Sequence, residues 1–142
     1  MSVKRLLDCT ARELAAYGKQ QLLAAIAGSE GRVLACETIG ITQPLLGDVT
    51  NAEYAAALSA DIVLLNMFDV QHPVIQALPD VPEEDTVREL KRLTGRVIGI
   101  NLEPTTPAQA QGNNGTLWQM KAGRLATAEN ARLAAELGVD MV

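Results

Sequence analysis

The stretch "SADIVLLNMFDV" (Ser59–Val70) begins like the interior of a protein and ends on polar residues. Ile62, Val63, Leu64 and Leu65 form an unbroken apolar run with β-branched members, the pattern of a parallel strand covered on both faces. The run then reaches Asn66 and Asp69. Two other segments behave in the same way. "RVLACETIG" (Arg32–Gly40) reaches Glu37 and Thr38, and "RVIGINLEP" (Arg96–Pro104) reaches Asn101 and Glu103. Parallel strands are therefore expected at about 32–40, 61–67 and 96–103, with a fourth starting near 139 in "VDMV".

Helix signals separate these runs. Thr10-Ala-Arg-Glu13, Thr50-Asn-Ala-Glu53 and Thr86-Val-Arg-Glu89 each fit the capping box, in which a Thr hydroxyl and a Glu carboxylate satisfy free N–H groups at a helix start. The pattern predicts an N-terminal helix over about 10–27, a second over Ala52–Leu58 and a third over Val87–Leu93 stopped by Gly95. A fourth is expected over Ala128–Leu137, between Thr127 as N-cap and Gly138 as terminator. Strand, loop, capped helix and strand form the βα unit, and its repetition predicts an α/β fold with a parallel sheet.

The 142 residues are 48% hydrophobic and 20% charged, a globular composition for one domain. A net charge of -5 with 3% aromatic residues argues against nucleic-acid binding, which needs clustered Lys and Arg and stacking platforms. No apolar run approaches the roughly 18 residues that would cross a bilayer. Asp8, Arg12 and Glu13 interrupt any signal-peptide core after Lys4 and Arg5. Cys9 and Cys36 show no ligand spacing and read as free thiols, which favours a cytoplasmic setting.

Neither G-x-G-x-x-G nor the P-loop pattern follows the first strand in "CETIGITQPLLGD", which weakens both nucleotide-binding folds. The unit lengths suit a (β/α)8 TIM barrel of about 250 residues, whose functional residues gather at the C-terminal strand ends. The chain stops at Val142 within a strand pattern, so the expectation is a single, truncated half-barrel domain, the N-terminal half of a TIM barrel. Exposed sheet edges and an uncovered apolar face then predict a homodimer or higher assembly.

On this barrel, Glu37, Thr38, Asn66, Asp69, Asn101 and Glu103 would converge on one face. Glu37, Asn66 and Glu103 are the candidate catalytic set, since carboxylates serve as general acid and base and an amide orients substrate oxygens. Glu37 and Glu103 are also candidate ligands for Mg²⁺. Asp69 and Asn101 are candidate substrate-binding residues. Lys121 and Arg124, ahead of the helix at Thr127, form a candidate anion site. The loop Thr105–Thr127 is long enough for a lid. His72, beside Pro73, reads as a loop residue, and Asp8 in "DCTARE" reads as part of a helix cap rather than a nucleophile.

The segments "RLLDCTARELA", "LLGDVTNAEYAAALSADIVLLNMFDV", "VIGINLEP" and "GRLATAENARLAAELGVDMV" resemble the N-terminal half of an uncharacterised bacterial TIM-barrel family. Its members lie beside sugar phosphotransferase genes and are labelled phosphoenolpyruvate-mutase-like or haloacid-dehalogenase-like. The resemblance implies a Mg²⁺-dependent lyase or isomerase acting on a small phosphorylated or carboxylate metabolite, with this half alone inactive. The alternative is a non-catalytic ligand-binding or regulatory protein linked to sugar uptake.

Overall fold

A computed structural model describes residues 4–105 and 120–142. Within them, α1 (Ala11–Ala16) and α2 (Lys19–Gly28) precede β1 (Ala35–Ile39). Helix α3 (Asn51–Ala57) leads to β2 (Ile62–Asn66), α4 (Thr86–Thr94) to β3 (Val97–Ile100), and α5 (Ala128–Leu137) to the C-terminal residues. The three strands are parallel in the order β1-β2-β3, so the architecture is the expected mixed α/β with a parallel sheet.

Register assigns each side chain to a face. Glu37 lies opposite Leu64 and Leu64 opposite Gly99, while Ile39 lies opposite Asn66. The alternate residues Val63, Leu65, Ile98 and Ile100 are almost fully buried and share a core with Ala52 and Ala55 of α3, Val87 and Leu90 of α4, and Ala134 and Leu137 of α5. Burying each large aliphatic side chain stabilises the fold by about 1.5–3 kcal/mol, so this layer holds the three units together. On the opposite face the start of the sheet is covered among the described residues: Ile62 and Val97 cluster with Leu6 and with Leu22 and Ala25 of α2.

The repeated helix-to-strand joint has a physical explanation. Helix α3 ends through Ser59 at φ 74°, and α5 through Gly138 at φ 93°; in both, a later N–H turns back to a helix carbonyl, Ala60 to Ala55 and Val139 to Ala134, each at 3.0 Å. Each turn is followed by an aspartate that reaches the neighbouring chain. Asp61 accepts the Leu34 N–H at 2.8 Å, and Asp140 accepts the Ile98 N–H at 2.9 Å. Asp140 also pairs with Lys91 at 2.6 Å.

Three expectations are corrected. The helix expected over 10–27 is two helices, because Tyr17 and Gly18 are extended and the Gly18 N–H donates to the Gln21 side chain at 3.0 Å, starting α2 anew. Thr86 is not an N-cap: the acidic 3-10 turn Glu83–Asp85 runs straight into α4, leaving Thr86 inside the helix. The fourth strand contributes one parallel bridge, Gly99 to Met141, with the Ile100 N–H donating to the Met141 carbonyl at 3.1 Å. The Thr10 and Thr50 capping boxes and the Thr127 cap are present, and Gly95 and Gly138 terminate their helices in left-handed conformation.

Candidate functional site

The C-terminal strand ends bring together Glu37, Asn66 and Asn101. Asn66 Nδ2 donates to Glu37 Oε1 at 2.8 Å, and Asn101 Nδ2 donates to Glu37 Oε2 at 3.3 Å. Both oxygens of one carboxylate, from β1, are thus engaged by amides from the ends of β2 and β3. Strand alternation makes this possible, since Glu37, Asn66 and Asn101 share a sheet face in the register given above. Glu37 remains exposed, and the amides are half-buried. Two fixed donors orient the carboxylate, while its exposure leaves it open to a ligand.

The chain just after Asn66 is conformationally unusual. Met67 has φ 60°, a left-handed conformation that non-glycine residues seldom adopt. The Asn66 side-chain carbonyl accepts the Met67 N–H at 2.8 Å and so helps to hold this turn. Asn66 therefore works with both ends of its amide, one toward Glu37 and one toward its own backbone.

Glu103 belongs to a second network. Arg124 Nη2 donates to Glu103 Oε1 at 3.4 Å, and the backbones join as well: the Glu103 N–H donates to the Arg124 carbonyl at 2.7 Å and the Ala126 N–H to the Glu103 carbonyl at 2.9 Å. Thr38 does not join the Glu37 face; it pairs with Leu65, on the helix-covered side, and its hydroxyl is buried. Asp69 shapes its own loop, since its Oδ1 accepts the N–H groups of Gln71 at 2.9 Å and His72 at 3.3 Å. Lys121 is exposed. The lid expectation falls on residues 106–119, which lie outside the described residues.

Two residues organise the site without any strong local signal. Asn130, only 2% exposed, donates to the carbonyls of Ala122 and Leu125, both at 2.8 Å, and accepts from Gln71 Nε2 at 3.1 Å. It ties the β2 loop and the 3-10 turn Ala122–Arg124 to α5. Gly123 lets these segments touch: a Cβ there would come within 1.8 Å of Asp69 Oδ1 and 2.8 Å of the Gln71 nitrogen. A buried polar residue one turn inside α5 was the available sign for Asn130, but its partners are distant in sequence.

A groove of about 530 Å³ runs along the outer edge of β1, lined by Leu34, Cys36, Glu37, Thr38, Tyr54 and Leu58 among others. Among the described residues, no group of three or more His, Cys, Asp or Glu side chains could hold a metal ion. Glu37 or Glu103 alone offers one carboxylate, which suits Mg²⁺ held chiefly by water and substrate oxygens rather than by a protein cage. Among the described residues no helix is long and apolar enough to cross a membrane.

No curated protein and no solved structure matches the chain. Residues 7–142 match the model of the family described as "Domain of unknown function (DUF7916)", and the chain belongs to that family.

Proposed function

We propose that the chain forms the first units of a (β/α)8 barrel enzyme in which Glu37 exchanges protons with a small phosphorylated or carboxylate metabolite, in a lyase or isomerase reaction. The observation that carries this reading is the grip of Asn66 and Asn101 on both Glu37 oxygens at the C-terminal edge of the sheet. Parallel α/β sheets characteristically place their chemistry at that edge. A positioned carboxylate there can take or return a proton at a carbon beside a carbonyl, and neighbouring amides can orient substrate oxygens. The left-handed Met67 beside Asn66 supports the reading, because backbone strain concentrates at functional sites. With a phosphorylated substrate, Glu37 would also hold Mg²⁺, which supplies charge neutralisation at the oxyanion.

The proposal includes a homodimer. Strand β1 has a partner on one side only among the described strands, and Leu34 and Leu58 beside its free edge are 53% and 63% exposed. Open edges next to apolar surface favour pairing with another chain. Light scattering at micromolar concentration should give at least twice the 15.1 kDa chain mass, for a homodimer or higher assembly; a monodisperse monomer would refute it.

Because the half-barrel alone is expected to be inactive, screening a full-length barrel that contains these residues against sugar phosphates and 2-oxo acids, for binding by calorimetry and for products by NMR, tests the function. The enzyme reading expects turnover that Glu37→Gln abolishes while binding persists. Turnover unaffected by Glu37→Gln would overturn the role of Glu37. Binding without turnover throughout would favour a ligand-binding protein linked to sugar uptake.

A further inference from the structure

Beyond the end of β3, two buried polar atoms lack partners among the described residues. The Arg124 side chain is 7% exposed and its Nε finds no acceptor; Thr105 Oγ1 is buried and likewise unpartnered. Both belong to the surroundings of Glu103. The Thr105 N–H donates to the Glu103 carbonyl at 2.8 Å, and Arg124 Nη2 reaches Glu103 Oε1 across 3.4 Å. Charge-assisted N–H···O bonds are about 2.7–2.9 Å when well formed, so Glu103 holds the guanidinium loosely and by one nitrogen. The nitrogen left over, Nε, lies on the edge that arginine uses with Nη2 to grip a carboxylate or phosphate in bidentate fashion.

The guanidinium is also anchored. The Arg124 backbone is bonded to Glu103, and the carbonyls on either side of it, from Ala122 and Leu125, are held by the buried Asn130. A buried cation whose N–H is unpaired calls for an explanation, since desolvating such a group without a partner opposes folding. An oxyanion would supply the missing acceptors. The Thr105 hydroxyl would provide a neutral donor, and the Glu103 carboxylate, 30% exposed, is the part of this cluster that reaches solvent.

We propose that Arg124 and Thr105 form an oxyanion subsite that takes the phosphate or carboxylate group of a small metabolite and releases Arg124 from Glu103. The inference rests on the reading of Glu37 as the proton-exchanging group, for which this subsite would anchor the anionic end of the same molecule. Its own logic is separate, because it depends on the Glu103 charge. That carboxylate competes with an incoming anion, so neutralising it should tighten anion binding, whereas a purely structural ion pair would show no such effect.

The test is calorimetric titration of the 142-residue chain with inorganic phosphate and, separately, with acetate at constant ionic strength. Saturable binding of at least one anion is expected, and the preferred one identifies a phosphoryl or a carboxylate group as the natural anchor. Glu103→Gln should tighten it about fivefold and Thr105→Val should weaken it about threefold, in line with the gain and loss of single polar contacts. Arg124→Gln should abolish it; if that variant fails to fold, the other two still decide. Glu37→Gln should leave inorganic anion binding unchanged, so loss of turnover there and loss of anion binding at Arg124 are separable. No saturable binding in either the parent chain or Glu103→Gln, or equal affinity in the two, would overturn the subsite. So would loss of binding in Glu37→Gln, which would place the anion elsewhere.

Discussion

One face of the sheet contains two opposite environments a few residues apart. At its start, Ile62 and Val97 are 5% and 2% exposed beneath α2; at its finish, Glu37, Asn66 and Asn101 hold one another beside solvent. The strands that carry both ends are the same, so the contrast does not come from sheet geometry. It comes from which residues each strand places at its start and at its finish. The lower end contributes stability, and the upper end forgoes apolar burial to keep a carboxylate oriented and open.

This contrast predicts a gradient of effects. The largest should come from the covered end: Ile62→Ala is expected to cost about 2–5 kcal/mol in urea denaturation, as a cavity beneath α2. A cost near zero would mean that α2 does not seal the sheet. Next comes the joint between the β2 loop and α5. Asn130→Ala leaves two carbonyls and the Gln71 amide without their partner and should cost about 2–3 kcal/mol, with faster hydrogen exchange at Val70, whose N–H donates to the Gly123 carbonyl. Unchanged exchange at Val70 would separate the loop from the buried asparagine.

Helix caps give a smaller, graded effect. Thr50 is fully buried and Thr10 exposed, so Thr50→Ala should cost about 1–2 kcal/mol and Thr10→Ala about 0.5 kcal/mol. Equal costs would show that burial adds nothing to the cap. The smallest effect concerns acid. Hydrogen bonds from Lys4, then from the Thr10 backbone and hydroxyl, hold the Glu13 carboxyl at about 2, below its ordinary 4.5. A lowered folded-state value stabilises above 4.5, and that contribution is lost as pH falls from 4.5 toward 2. Glu13→Gln should therefore flatten a slight acid destabilisation in that window, and an unchanged denaturation profile would contradict it.

Local chemistry made much of the fold readable. The apolar runs around Ile62–Asn66 and Val97–Ile100 mark strands because period and composition agree, and Thr127 with Gly138 brackets α5 because caps act within a turn. The errors arose where a neighbour changed the outcome. Thr86 has the capping-box spacing, but the preceding acidic turn already starts the helix, and Gly18 divides what the apolar spacing alone would join. The strand ends were also readable as polar, yet their partnerships were not. Asn101 rather than Glu103 meets Glu37, since pairing across three strands depends on register, and register is set by the whole sheet.

The central claim is that Glu37 is held for chemistry rather than for stability, and paired measurements on Glu37→Gln test it most directly. Denaturation should place the variant within about 0.5 kcal/mol of the parent chain, as for an exposed polar substitution, while the same substitution in the full-length barrel lowers turnover of whichever sugar phosphate or 2-oxo acid that protein converts at least about a hundredfold. A variant that is destabilised by about 2 kcal/mol or more and yet turns over the same compound normally would contradict the account, making the Glu37–Asn66–Asn101 cluster a structural clasp.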